Sequence, residues 1–178
     1  MFRVVCQLHL NELPWRHVFV DIDGPTDSKN TFKGVIDKLL PKVEDLEWNP
    51  RFKKLAEAPD LPVFTEEVAA NLSSDQKLLY IAYVSVKSGK IRPQLYSLTP
   101  GPISHSRWNT HASRNLLLYI KKHGLTGKDK ANLNKLVQFL MTYYTLMWFR
   151  IKQKDSIGEG ARHLFSQIDL IRLLPKDI

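Results

Sequence analysis

The fold is decided by residues 128–154, KDKANLNKLVQFLMTYYTLMWFRIKQK. Apolar side chains recur every three or four positions along this stretch, which is the spacing of one face of an α-helix. The sequence therefore predicts one long helix here. Its buried face is predicted to carry Leu133, Leu136, Val137, Leu140, Tyr144, Met147, Trp148 and Ile151.

The same stretch contains the longest apolar tract of the chain, residues 136–149. Gln138, Thr142 and Thr145 interrupt it. A membrane-spanning helix needs about 20 predominantly apolar residues, so we expect a soluble protein with no membrane partner.

Three further amphipathic segments accompany the long helix. Ser73 or Ser74 can cap the first, and Ser156 with Glu159 forms the pattern of a capping box before the last. Four such helices joined by short links predict a helical bundle over residues 73–178. The predicted segments are 73–88, 105–123, 128–154 and 156–174.

The first 72 residues have a different pattern. Residues 17–22 form a short apolar run followed by Gly24 and Pro25, which is typical of a strand that ends in a turn. We therefore expect a mainly α protein in which a helical bundle follows a short β-containing N-terminal segment.

A weak helix is predicted over residues 35–40, ending at Pro41. Residues 41–72 contain four prolines and several acidic residues, a composition that favours a linker or an irregular excursion. In domain terms, residues 1–72 are expected to be a fragment of an α/β core with a Pro-rich acidic connection, and residues 73–178 a basic helical bundle.

The charge of +8 is unevenly distributed. Residues 1–72 carry 9 basic and 12 acidic side chains, whereas residues 73–178 carry 17 basic and 6 acidic ones, a net charge of +11. Such a surface attracts polyanions, so nucleic acid is the expected partner. A solubilising surface, an anionic membrane or an acidic protein would also fit this charge.

Cys6 and His9 form a Cys-x-x-His pair, which is half of the ligand set of a structural zinc site. The chain has no other cysteine, and its remaining histidines show no paired spacing. We therefore expect no metal and no cofactor. The single cysteine also favours a reducing, intracellular compartment, with the nucleus as one candidate.

Asp21 and Asp23, at the end of the predicted strand, are similar to the first motif of haloacid-dehalogenase-type phosphotransferases. In those enzymes the first Asp is the nucleophile, the second a general acid, and Mg²⁺ offsets their charge. Pro25 stands where that motif has Thr. A plain turn would explain the same two carboxylates.

Trp108 follows Arg107 in a strongly basic region. An exposed Trp would offer a stacking platform for an unpaired base, whereas its register with Ala112 and Leu116 favours a core residue. Basic side chains nearby could contact phosphates. The candidate nucleic-acid-binding residues are Arg107, Trp108, Arg114, Lys121, Lys122, Lys128 and Lys130.

Residues 6–13, CQLHLNEL, resemble the Cys-x-x-His and Asn-Leu motif of hAT-like DNA transposases, and residues 106–109, SRWN, are similar to their Thr-Arg-Trp element. A group of transposon-encoded animal proteins is also similar, on four short motifs. Those motifs are NELP at 11–14, DGPT at 23–26, SHSRW at 104–108 and GARHL at 160–164.

This resemblance implies a ribonuclease-H-like core with a helical insertion. Two catalytic acids would lie before Met1 and the last after Ile178, so the chain would lack a complete metal site. Cys6 and His9 would lie near the active site, and Trp108 would stack on a displaced base. We therefore expect a truncated, transposase-derived DNA-binding segment without stand-alone catalysis. The alternatives are a phosphotransferase fragment and a structural helical interaction module.

Overall fold

The computed structural model describes residues 7–25, 33–103, 108–151 and 160–172; side chains are described from Glu12 onward in the first range and, in the last, at Arg162 and from Phe165 onward. Within these ranges the secondary structure is helical. The α-helices are α1 (Gln7–Asp23), α2 (Glu66–Ala70), α3 (Ser74–Ser88), α4 (Trp108–Ile120), α5 (Gly127–Phe139), α6 (Thr145–Arg150) and α7 (Gly160–Arg172).

The prediction of a mainly α protein built as a helical bundle is confirmed. α3 packs along α4, and α1 packs against α4, α5 and α6. One hydrophobic core extends from Trp15 in α1 to Phe149 in α6. The core therefore contains residues from both of the segments into which the sequence was divided.

The predicted strand at residues 17–22 is wrong, because these residues lie in α1. Trp15 and Phe19 are fully buried one helical turn apart, and Val18 and Ile22 pack partly against the same core. Their spacing is i, i+3, i+4 and i+7, which is a helical pattern. A run of six residues is too short to distinguish this pattern from a strand.

A 3₁₀ helix, Asp37–Asp45, replaces the predicted α-helix at 35–40. Pro41 lies inside it, so the predicted end at this proline is wrong. The carboxylate of Asp23 anchors its beginning by accepting hydrogen bonds from the backbone N–H groups of Ile36, at 3.0 Å, and Asp37, at 2.8 Å. These bonds tie the end of α1 to the 3₁₀ helix.

Residues 46–65 are irregular, as expected, but they pack onto the bundle. Phe52, Ala58 and Leu61 are buried in the core. The hydroxyl of Tyr83 in α3 lies 2.5 Å from the carbonyl oxygen of Pro59 and 2.9 Å from that of Met141, and its single proton can be donated to either. This segment is therefore a fixed part of the fold.

α3 matches its predicted bounds. Ser73 and Gln76 form a capping box, and Gly89 ends the helix in the left-handed conformation, with φ of 69°. Glycine adopts this conformation without the steric cost that other residues incur. The predicted capping box at 156–159 lies outside the described residues.

α4 ends at Ile120, three residues before its predicted end. The next residues leave the helix because they pair with the segment around Trp48. The predicted long helix is seen as a continuous helical run of α5, a π-helical turn at Leu140–Tyr144 and α6.

Candidate nucleic-acid interface

A basic groove of about 470 Å³ opens beside the end of α4. Its walls come from residues 49–53, the end of α4 with the loop that follows it, and the first half of α5. Five of its lining side chains are Lys or Arg, and none of the described lining residues is Asp or Glu. We call this the basic groove; it is lined by Asn49, Arg51, Phe52, Lys53, Tyr119, Lys121, Lys122, His123, Leu125, Lys130 and Asn134.

Backbone pairing holds the first wall against α4. Trp48 and Lys121 form an antiparallel β-bridge. The N–H of Asn49 donates to the carbonyl of Ile120 at 3.2 Å, and the N–H of Lys122 donates to the carbonyl of Glu47 at 2.8 Å. The irregular segment and the loop after α4 are thereby fixed relative to each other.

Two more hydrogen bonds shape the wall at residues 49–53. The side-chain oxygen of Asn49 accepts from the N–H of Arg51 at 3.0 Å, which closes a turn of the kind that Asn favours. The hydroxyl of Tyr119 donates to the carbonyl of Lys53 at 2.9 Å. Burial of this hydroxyl raises the pKa of Tyr119, so it remains a donor at neutral pH.

Lys121 is built into the base of the groove. Its ammonium group donates to the carbonyl of Glu44 at 2.8 Å and lies 4.6 Å from the ring centroid of Trp48. Burial lowers the pKa of Lys121. This lysine therefore stabilises the groove and adds positive potential, while its hydrogen bond is directed inward.

Lys122 is exposed and forms an ion pair with Glu47, with Nζ 2.9 Å from Oε2. The hydrogen bond from Lys122 lowers the pKa of Glu47. Exposed pairs of this kind contribute little to stability because solvent screens them, so a phosphate can compete with Glu47 for Lys122.

The outer cations of the groove are Arg51, Lys53 and Lys130, all exposed. Among the described residues none of them forms an ion pair. Their charge is therefore available to an anion in the groove.

His123 is half-buried and also lines the groove. Burial, followed by the charge of Lys130, lowers the pKa of His123. Its Nδ1 accepts a hydrogen bond from the N–H of Leu125 at 3.3 Å. Burial, with the charge of Lys130 as the second cause, therefore favours the neutral imidazole.

Two of the predicted binding residues face the interior. Trp108 is buried at 4% exposure and contacts the rings of Phe19 and His111. This agrees with the core alternative, because no face of the indole is open to a base. We therefore do not include Trp108 in the interface.

Arg114 is also buried, at 4% exposure. Its guanidinium donates to the carbonyls of Leu40, at 2.9 Å, and Gly101, at 2.8 Å, and to the carboxylate of Glu44, at 2.8 Å. These bonds tie α4 to the 3₁₀ helix and to the segment before α4. Arg114 is thus an internal cross-link, and its guanidinium N–H groups donate to partners within the protein.

Only some of the remaining predicted residues lie in the groove. Lys121, Lys122 and Lys130 line the groove, whereas Lys128 is exposed at the start of α5 outside it. Arg107 and Cys6 lie outside the described residues. His9 lies in α1, but its side chain is outside the described part.

Asp21 and Asp23 lie in the last turn of α1 and not at the end of a strand. Asp21 is exposed, and both carboxylate oxygens of Asp23 are used by the 3₁₀ helix. Burial raises the pKa of Asp23. The phosphotransferase alternative therefore lacks the strand that would present its two carboxylates.

Arg51 and Lys53 are the Lys and Arg residues of the groove that were not predicted from the sequence. They belong to residues 1–72, whose net charge is negative, so the overall charge does not point to them. A short motif could have identified them, because residues 51–54 are Arg-Phe-Lys-Lys, with three basic side chains around one aromatic side chain.

No known protein family matches the chain, and comparisons with curated proteins and with solved structures find no match either. In the described ranges, no three His, Cys, Asp or Glu side chains lie close enough together to hold a metal ion. None of the described helices is both long enough and apolar enough to cross a membrane.

Proposed function

We propose that this chain is a DNA-binding helical module and that the basic groove binds the phosphate backbone. The observation that carries the proposal is the composition of the groove, which has five Lys or Arg side chains and no carboxylate among its described lining residues. Neutralising phosphates with such side chains releases counterions, which provides most of the affinity of non-specific binding.

A transposase-derived origin is the second part of the proposal. It rests on the resemblance of residues 6–13 and 106–109 to hAT-like transposases and does not depend on the groove. The proposal assigns no stand-alone catalysis to the chain. DNA would be held through Lys122, Lys130, Arg51 and Lys53, with Lys121 supporting the groove from below.

The test is binding of a labelled DNA hairpin at low and at moderate salt. If four phosphates are neutralised, the affinity should fall by about 100-fold between about 50 mM and about 200 mM salt. The double variant Lys53→Gln, Lys130→Gln should bind more weakly and lose less affinity with salt.

The matched control is Lys38→Gln, Lys90→Gln, which removes two exposed lysines that do not line the groove. This control should bind like the unmodified protein. Equal losses in the two double variants would mean that overall charge and not the groove governs binding. Absence of binding at low salt would remove the proposal.

A second candidate is a structural or protein-interaction module, and the burial of Trp108 favours it. In that case the basic residues serve solubility, and the hairpin experiment would show no specific effect of Lys53 and Lys130.

A further inference from the structure

The shape of the basic groove bears on the form of nucleic acid that it can hold. The cations line a concavity of about 470 Å³, and they do not form a flat or convex strip. This volume lies within the range of about 300–1,000 Å³ that is usual for sites holding small ligands. A space of this size suits a group as small as a nucleotide.

An aromatic surface forms part of the groove floor. The rings of Tyr119 and Phe52 pack edge to face, with centroids 6.4 Å apart, and Tyr119 is the more exposed of the two. The hydrogen bond from its hydroxyl to the carbonyl of Lys53 fixes the orientation of the Tyr119 ring. A ring held in this way loses little conformational freedom when a base packs against it.

Cations and amides surround this aromatic surface. Lys130 and Asn134 are one helical turn apart on α5 and therefore project from the same face. Arg51 and Lys53 lie on the opposite wall, beside Asn49. Ammonium and guanidinium groups suit phosphates, and amides can hydrogen-bond to the edge of any base.

We infer that the basic groove binds an unpaired strand of nucleic acid, with phosphates on its cationic walls and a base against Tyr119. Positive walls together with an aromatic platform are the combination by which proteins hold single strands without sequence preference. A duplex keeps its bases stacked inside and cannot use the aromatic surface. This inference rests on the proposed function and adds the form of DNA that is bound.

The experiment compares three labelled ligands with equal numbers of phosphates in fluorescence anisotropy titrations. They are a mixed-sequence single strand, a duplex of half its length, and a single strand whose central nucleotides are abasic. We expect the single strand to bind about tenfold more tightly than the abasic strand, because one stacked base contributes about 1–3 kcal/mol. The duplex should bind no more tightly than the abasic strand.

Variants at Tyr119 test the aromatic surface. Tyr119→Leu should weaken single-strand binding about tenfold, which is more than it weakens duplex binding, whereas Tyr119→Phe keeps the ring and should retain most of the affinity. Thermal unfolding of each variant checks that it is folded. The abasic comparison uses the unmodified protein, so it remains decisive if Tyr119→Leu does not fold.

The outcomes separate the two proposals. Equal affinity for all three ligands overturns the single-strand inference but leaves DNA binding by the groove intact. Tighter binding to the duplex than to the single strand also overturns the single-strand inference and leaves DNA binding by the groove intact. Absence of binding to every ligand overturns the proposed function and, with it, this inference.

Discussion

The ammonium group of Lys121 lies 4.6 Å from the centroid of the Trp48 ring, and the same two residues form an antiparallel β-bridge. Trp48 belongs to the net acidic first part of the chain and Lys121 to the basic second part. The pair therefore joins the two parts at the base of the groove. Together with the backbone hydrogen bonds beside it, this pair holds residues 49–53 as one wall of the groove, whose other walls come from the end of α4, the loop after it and α5.

Replacing Trp48 by Leu should destabilise the protein by about 1–2 kcal/mol, since it removes a partly desolvated cation–π contact. Trp48→Phe keeps an aromatic face under Lys121 and should cost less. Urea unfolding of both variants provides the comparison. Equal losses for Leu and Phe would show that the ring face does not hold Lys121.

Replacing Arg114 by Met should cost about 3 kcal/mol or more, because buried carbonyls of Leu40 and Gly101 would lose their donor. Arg114→Lys keeps the charge but not the fork of donors, so we expect an intermediate loss. Unfolding free energies measure both effects. If Arg114 contacted DNA instead, Arg114→Lys would be fully stable and would bind hairpin DNA more weakly.

Gly34 lies against the end of α1. A Cβ placed at Gly34 would overlap both the carboxylate and the backbone carbonyl of Asp23. Gly34→Ala should therefore destabilise the protein by about 1–3 kcal/mol, as overpacking does.

Gly124→Ala is the matched control, since nothing lies within 4 Å of a Cβ at Gly124. Thermal unfolding should leave this variant close to the unmodified protein. A neutral Gly34→Ala would show that α1 and the segment before the 3₁₀ helix can move apart enough to accept a methyl group.

Much of the bundle could be predicted from the sequence, because long amphipathic periods specify helices. The predicted cap at Ser73 or Ser74 and the predicted end before Gly89 agree closely with the bounds of α3. The prediction of a strand at residues 17–22 was wrong because this run is short. A short apolar run fits both periods, and only its packing through Trp15 and Phe19 decides between them.

The groove was partly predictable. The basic residues Lys121, Lys122 and Lys130 could be selected from the charge of the second half. The contribution of Arg51 and Lys53 depends on the pairing of Trp48 with Lys121, which is a long-range contact that no local pattern indicates. Arg114 shows the converse, because charge alone does not reveal that a side chain is buried.

Hairpin binding should become tighter as the pH falls below neutrality. Burial and the charge of Lys130 hold the pKa of His123 below its usual value, and a phosphate in the groove would favour the protonated imidazole. If binding raises this pKa by about half a unit, the affinity gains about threefold. The charged groups around His123 in the groove are Lys121 and Lys122 after α4, Arg51 and Lys53 on the opposite wall, and Lys130 on α5.

His123→Gln is neutral at every pH and should remove this gain, whereas the unmodified protein keeps it. Lowering the pH has the opposite effect on folding stability, which decreases. Because the folded pKa is the lower one, the unfolded chain takes up the proton more readily. The contribution of His123 to stability is therefore complete above about pH 6.5 and is lost as the pH falls through the folded pKa. An affinity that rises equally in the variant would assign the effect to other groups.

The most direct test is to map DNA contact on the folded protein by NMR. Backbone amide signals of ¹⁵N-labelled protein would be followed while a DNA hairpin is added at low salt. We predict that the shifted signals cluster at residues 49–53, 119–125 and 130–134, and that α3 remains unaffected. Saturating DNA that leaves these three stretches unchanged, or that shifts signals on α3 instead, would contradict a role for the basic groove.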